Sequence, residues 1–288
     1  MTLEPLTDTR AILGEGPVWH NDQLIWVDIE GRKVFIHDPE TKQDHAIQLR
    51  ERVGCVRPCA GDDRLVCGLQ SGLAFLDLKS GGLTAISDPE ADLPTRFNDG
   101  NCDPLGRFWA GTMDMDEKEA IGSLYMLDSS QKVTRQWQNV TVSNGLAWDP
   151  DGVTLYYNDS PTREVAAFDY DAATGTITNR RVAVPIPDGE GFPDGMTIDR
   201  EGMLWIALWQ GWGVVRYNPR TGERLQKIEL PVEKVTSCMF GGANLDDLYI
   251  TTAQIHLSDE AHAQQPFAGG LFKVNPGVCG LKSVPYLD

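Results

Sequence analysis

Three side chains stand at the same place in a repeated phrase, and together they could hold a cation. Glu15 precedes Gly16 in "LGEGPVW", Asn144 precedes Gly145 in "SNGLAWDPDG", and Asp194 precedes Gly195 in "FPDGMTIDREG". A further copy, "RFNDGNCDPLG", offers Asn98 or Asp99 ahead of Gly100 and places Arg96 two residues before Asn98. Taken singly, Asn-Gly and Asp-Gly are turn dipeptides in which the glycine supplies a positive φ. Glu15 is no turn former, yet it occupies the same place. Close carboxylates repel unless a proton or a metal intervenes, so oxygen donors brought to one height invite a divalent cation. A Glu, an Asn and an Asp form a hard oxygen set that suits Ca2+, Mn2+ or Mg2+ first and Zn2+ after them. Beside such a cluster, Arg96 would hold its charge or orient an oxygen-rich ligand.

The elements that must position these residues are read from internal repeats. A short apolar strand with an aromatic, followed by Asp or Asn, recurs as "KVFIHD", "LAFLD", "LYMLD", "VAAFD", "VVRYN" and "LFKVN". Its aromatics, Phe35, Phe75, Tyr125, Phe168, Tyr217 and Phe272, lie 40 to 55 residues apart. A second strand precedes each copy, from "LIWVDI" to "DLYITT", and the opening phrase supplies a third strand ahead of most pairs. Three or four short strands per repeat, six times over, predict an all-β, six-bladed β-propeller in one domain spanning 1–288. In such a ring the innermost strands line a central channel, so residues of equal phase meet at one mouth. "TLEPLTDTRAIL" is expected to lend a strand to the last blade and close the ring, because an open ring exposes its edges.

Composition narrows the partners. With 41% hydrophobic and 23% charged residues, the chain can bury a core. A net charge of −17 argues against nucleic acid or an anionic membrane surface. No apolar run approaches the ~20 residues that span a bilayer, and the N-terminus lacks a signal-peptide pattern, so the expected location is cytoplasmic. The six cysteines show no redox or zinc spacing and are expected to be buried free thiols. "DGNCDPLGRFWA" is no EF-hand loop, since Pro104 replaces the required glycine and Ala110 the final glutamate. The five histidines have no ligand spacing, and His20 is expected at a strand end.

Over nearly its whole length the sequence resembles the gluconolactonase/regucalcin (senescence marker protein) family of six-bladed propellers. The phrases that carry this are "LGEGPVW", "WVDIEGRKV", "RFNDG", "GRFWAGTM", "GSLYMLD", "SNGLAWDPDG", "FPDGMTID" and "GGLFKVNPGVCGLKSVPY". The resemblance implies one divalent metal held by Glu15, Asn144 and Asp194, and substrate contacts from Arg96 and Asn98. It also implies that Asp194 assists a water, and that a glutamate after "GTM", Glu117 or Glu119, binds substrate. The implied reaction opens a sugar-acid lactone to the aldonate, with a small-molecule lactone as partner. The competing readings are an organophosphate or other ester hydrolase, a calcium-binding regulatory protein without turnover, and a protein-interaction propeller.

Overall fold

A computed structural model describes residues 3, 5–61 and 63–288. Six antiparallel sheets follow one another along the chain, five of four strands and the last of three. Their innermost strands are Gly14–His20, Val53–Pro58, Thr95–Cys102, Ser143–Trp148, Phe192–Ile198 and Val235–Gly241, which number the blades 1 to 6. Each inner strand packs on the next, and the sixth packs on the first. The predicted six-bladed propeller is therefore observed. Both strand phrases read from the sequence fall where expected, for example at Gln23–Asp28 and Lys33–Asp38 in blade 1.

Between the blades the core divides into six apolar clusters, one at each interface of the ring. Strands packed on both faces read as nearly unbroken apolar runs, as in "LWIALW" at Leu204–Trp209. The outermost strands differ. Gln43–Gln48, "QDHAIQ", is largely exposed.

Ring closure is only partly as predicted. The N-terminal segment reaches the edge of blade 6, where Leu6 N donates to Leu271 O at 2.7 Å and Pro5 bridges Phe272. This is an isolated bridge rather than a strand, and Pro5 has no N–H with which to extend it. Thr2 and Glu4 of the expected strand lie outside the described residues. At the axis, Thr236 Oγ1 of blade 6 donates to Gly14 O of blade 1 at 2.5 Å.

The C-terminal segment crosses the far end of the channel. Gly280 packs on Phe240 and bridges Asp199, Ser283 lies against Met239, and Lys282 lies near His20. Tyr286 is fully buried, with its N–H on Pro58 O at 2.8 Å and its hydroxyl on Asp128 O at 2.7 Å. The segment thus touches blades 2, 3, 5 and 6 and passes near blade 1. Among the described residues, no helix is long and apolar enough to cross a membrane.

The repeated glycines have a different cause from the one expected. Only Gly16 has a positive φ, +54°. At Gly145 the next inner strand leaves no room, since a Cβ would lie 2.7 Å from Met196 N and 2.8 Å from Asp194 O. At Gly54 a Cβ would collide with the carbonyl oxygens of Phe97 and Asn98. Neighbouring strands crowd at the axis, and glycine is the residue that fits. Gly54→Ala should therefore lower stability by about 2 kcal/mol, or roughly 5 °C in a thermal melt. An unchanged melting temperature would contradict this account.

Candidate active site

Each of the six inner strands carries a register shift near its start. The shifts fall after Glu15, Val53, Ser143, Pro193 and Val235, and, in blade 3, opposite Asn98 and Asp99. A bulge re-aims the side chains beside it, and here the bulges turn one position per blade toward the axis. The result is a cavity of about 260 Å³ lined by Glu15, Arg96, Asn98, Glu117, Asn144 and Asp194, with apolar walls that include Phe192 and Trp209. All five residues singled out in the sequence are brought together there. Except for Glu117, these six polar groups are at most 7% exposed.

The polar groups are fixed by short hydrogen bonds. Arg96 Nη1 donates to Asn98 Oδ1 at 2.7 Å and to Phe97 O at 3.1 Å. Asn98 Nδ2 donates to Ser143 O at 2.7 Å and to Asn144 Oδ1 at 3.3 Å. Asn144 Nδ2 in turn donates to Ser160 Oγ at 2.9 Å, which leaves its oxygen turned the other way. Glu15 Oε2 accepts from Gly16 N at 2.8 Å, and Glu15 also shares a hydrogen bond with Asp194. Asn158 Nδ2 holds the backbone carbonyl of Asp194 at 2.7 Å.

Sequence reasoning left Asn98 and Asp99 open, and the structure separates them. Asn98 lines the cavity, whereas Asp99 does not. Asp99 accepts from Gly100 N at 2.7 Å and feels the buried Arg57. It still acts on the site from nearby, because its charge raises the pKa of both Glu15 and Asp194. The two glutamates are separated as well. Asp114 accepts from the N–H groups of Asp116, Lys118 and Glu119, building a turn in which Glu117 takes a positive φ of 59°. That turn sets Glu117, and not Glu119, in the cavity wall.

Three buried carboxyls converge, and each is pushed up by burial above all. Glu15 is raised to about 8, with the charge of Asp99 as the next cause. Asp194 is raised well above the usual carboxylate range, with Glu15 as the next cause and a hydrogen bond between the two. Asp99 is raised too. Arg96 is lowered to about 10 by the same burial. Two buried arginines, Arg96 and Arg57, do not balance three acids, so the site as built must hold a proton or a cation. The donors facing the cavity are all oxygens, which fits a hard divalent ion. Among the described residues, no three His, Cys, Asp or Glu side chains group closely enough to hold a metal by themselves.

Other motifs prove structural. Asp103 of the rejected EF-hand phrase receives hydrogen bonds from Arg107 Nε at 2.6 Å, Trp109 Nε1 at 3.0 Å and Tyr170 Oη at 2.7 Å. Asp199 anchors Trp205 and Arg216 in the same way. Among the described residues no two cysteines form a disulfide, and five of the six cysteines are buried. His20 ends the inner strand of blade 1.

Fold and site together define a six-bladed propeller with an acidic, oxygen-lined cavity at one mouth of its axis. Residues 13–254 match the SMP-30/Gluconolactonase/LRE-like region, and the chain belongs to that family. It is 45% identical to regucalcin of Danio rerio over 278 residues, 95% of this chain and 93% of the relative. It is 38% identical to the "Putative sugar lactone lactonase YvrE" of Bacillus subtilis, over 97% of this chain and 96% of the relative. Among solved structures, a calcium-binding regucalcin from Agrobacterium tumefaciens superposes with a TM-score of 0.94 at 28% identity, covering 99% of this chain and 97% of that one.

Proposed function

We propose that this chain is a metal-dependent hydrolase that opens a sugar-acid lactone to the aldonic acid. The observation that carries the reading is the convergence of Glu15, Asn144 and Asp194 from three blades in one cavity with Arg96, Asn98 and Glu117. A pure cation buffer has no use for the last three. The metal, Ca2+, Mn2+, Mg2+ or Zn2+, would be held by Glu15, Asn144 and Asp194, and when bound would polarise the ester carbonyl and stabilise the charge that develops there.

The protein groups divide the remaining work. Among the described residues, Nε and Nη2 of Arg96 have no hydrogen-bond partner, so they would be available to bind sugar oxygens. Asn98 Oδ1 already accepts from Arg96 and keeps one lone pair for a substrate hydroxyl. Glu117 would accept from another hydroxyl, and Phe192 and Trp209 would cover the apolar face of the ring. Asp194 is a ligand first and a base second, because a cation lowers its basicity. In its second role it orients the attacking water and takes up its proton. The oxygen of that water bonds to the carbonyl carbon, the ring C–O bond breaks, and the proton is returned to the departing ring oxygen.

The deciding assay follows acid release from a panel of glucono-, galactono-, xylono- and arabinono-lactones, with EDTA treatment and metal add-back. Turnover that EDTA removes and a divalent ion restores is expected on at least one lactone. Turnover on none would sink the reading. It would leave the second reading, calcium binding without catalysis, which the all-oxygen donor set and the description of the Agrobacterium relative favour.

A further inference from the structure

Beside the acidic cavity lies another, of about 540 Å³, and Arg96 lines both. It sits over blade 2, whose inner strand has the apolar Val53 ahead of its glycine where blades 1, 4 and 5 have Glu15, Asn144 and Asp194. Three more arginines face it. Arg32 comes from a turn of blade 1, and Arg50 and Arg52 come from the link between blades 1 and 2. Four arginines around one cavity run against a net charge of −17.

The acids of this cavity are already engaged. Both oxygens of Glu51 accept from Ser71, at 2.7 and 2.9 Å. Glu90 accepts from Thr95 Oγ1 at 2.7 Å and Tyr125 Oη at 2.9 Å, and Asp88 accepts from Glu90 N at 3.0 Å. Arg52 is held by Glu30 at 2.9 Å. By contrast, among the described residues the side chain of Arg50 has no hydrogen-bond partner, and that of Arg32 has a single 3.5 Å contact with Arg50 O. The unspent donors of the cavity are thus guanidinium groups, whose forked N–H pairs match the oxygens of a phosphate or carboxylate.

We infer that this cavity is an oxyanion subsite, so that the preferred substrate is a lactone bearing a phosphate or carboxylate at the end remote from the ester. The ester would lie over Glu15, Asn144 and Asp194 while the anionic group rests among Arg32, Arg50 and Arg52, with Arg96 between them. The substrate class rests on the lactonase reading; the anion site does not.

The test is calorimetric binding of three open-chain acids to the purified protein: gluconate, glucarate and 6-phosphogluconate. At least one of the doubly anionic acids should bind about tenfold or more tighter than gluconate. Whichever does so identifies the carboxylate or the phosphate as the group recognised. In Arg50→Glu, and more mildly in Arg50→Gln and Arg32→Gln, that ratio should fall toward one, with thermal melts showing that the fold is kept. Equal affinities in the parent protein, or a ratio that survives all three variants, would overturn the inference. If no lactone is hydrolysed but the ratio behaves as described, the lactonase reading falls and the anion site stands.

Discussion

Asp194→Asn is expected to lower kcat/KM for lactone opening by on the order of 1000-fold or more, while the metal-free protein stays at least as stable as the parent. Three buried carboxyls share the axis, and burial together with Glu15 holds Asp194 well above its ordinary range. An amide in its place removes a carboxyl whose charged form the fold disfavours and keeps an oxygen to accept from Gly195 N. Catalysis has no such tolerance. The amide is a neutral and weaker cation ligand than a carboxylate, and it is no base, so cation binding is weakened and the base is lost; a loss of about 4 kcal/mol in transition-state binding corresponds to that 1000-fold. The checks are lactone kinetics, calorimetry with Ca2+ and Mn2+, and urea unfolding in chelator. Parental turnover in the variant would remove Asp194 from the centre. Lost turnover with an equal loss of stability would make the residue structural.

The second large effect concerns pH. In chelator, stability should fall as pH rises from 4.5 toward about 8, the window set by Glu15. A carboxyl whose folded pKa is raised carries a proton in the native state that the unfolded chain has already released. Its contribution is complete below the unfolded pKa and is lost as pH climbs through the folded one. Each such proton corresponds to a slope of about 1.4 kcal/mol per pH unit, and Asp194 adds to Glu15 in the same sense. His20, pushed down by burial and by Lys282, acts in the opposite sense near and below its ordinary value of 6.5. The decline is therefore read most cleanly between pH 7 and 8. An excess of a divalent ion should abolish it, because cation binding displaces those protons and strengthens with pH. Urea midpoints that stay flat or rise across pH 7 to 8 in chelator would contradict the electrostatics described for the site.

The sequence announced the inner strands of blades 1, 3, 4 and 5 because the axis demands glycine there and the proposed chemistry demands an oxygen donor just before it. Blade 2 keeps only the glycine, after Val53, and blade 6 puts Thr236 and Ser237 in its place, so neither repeats the phrase. The outer strands were silent for another reason. A strand such as Gln43–Gln48 is solvated and carries little of the apolar alternation that betrays its neighbours. The choice between Glu117 and Glu119 depended on backbone bonds to Asp114, and that between Asn98 and Asp99 on a bulge; neither leaves a trace in residue type. Arg32 sits on one connection and Arg50 and Arg52 on another, and the pairing of Lys33–Asp38 with Gln43–Gln48 brings them to one cavity.

The segment laid across the far end of the channel, with Tyr286 buried beneath blades 2 and 3, bears on traffic through the molecule. With that segment across its base, the molecule would be entered from the mouth where Glu15, Asn144 and Asp194 stand. On the lactonase reading, a lactone and the acid made from it would then use the same opening in turn, and the acid would leave past the groups that bound its precursor. Each turnover would wait for the threshold to clear, and accumulated acid would compete with fresh lactone for the same entrance.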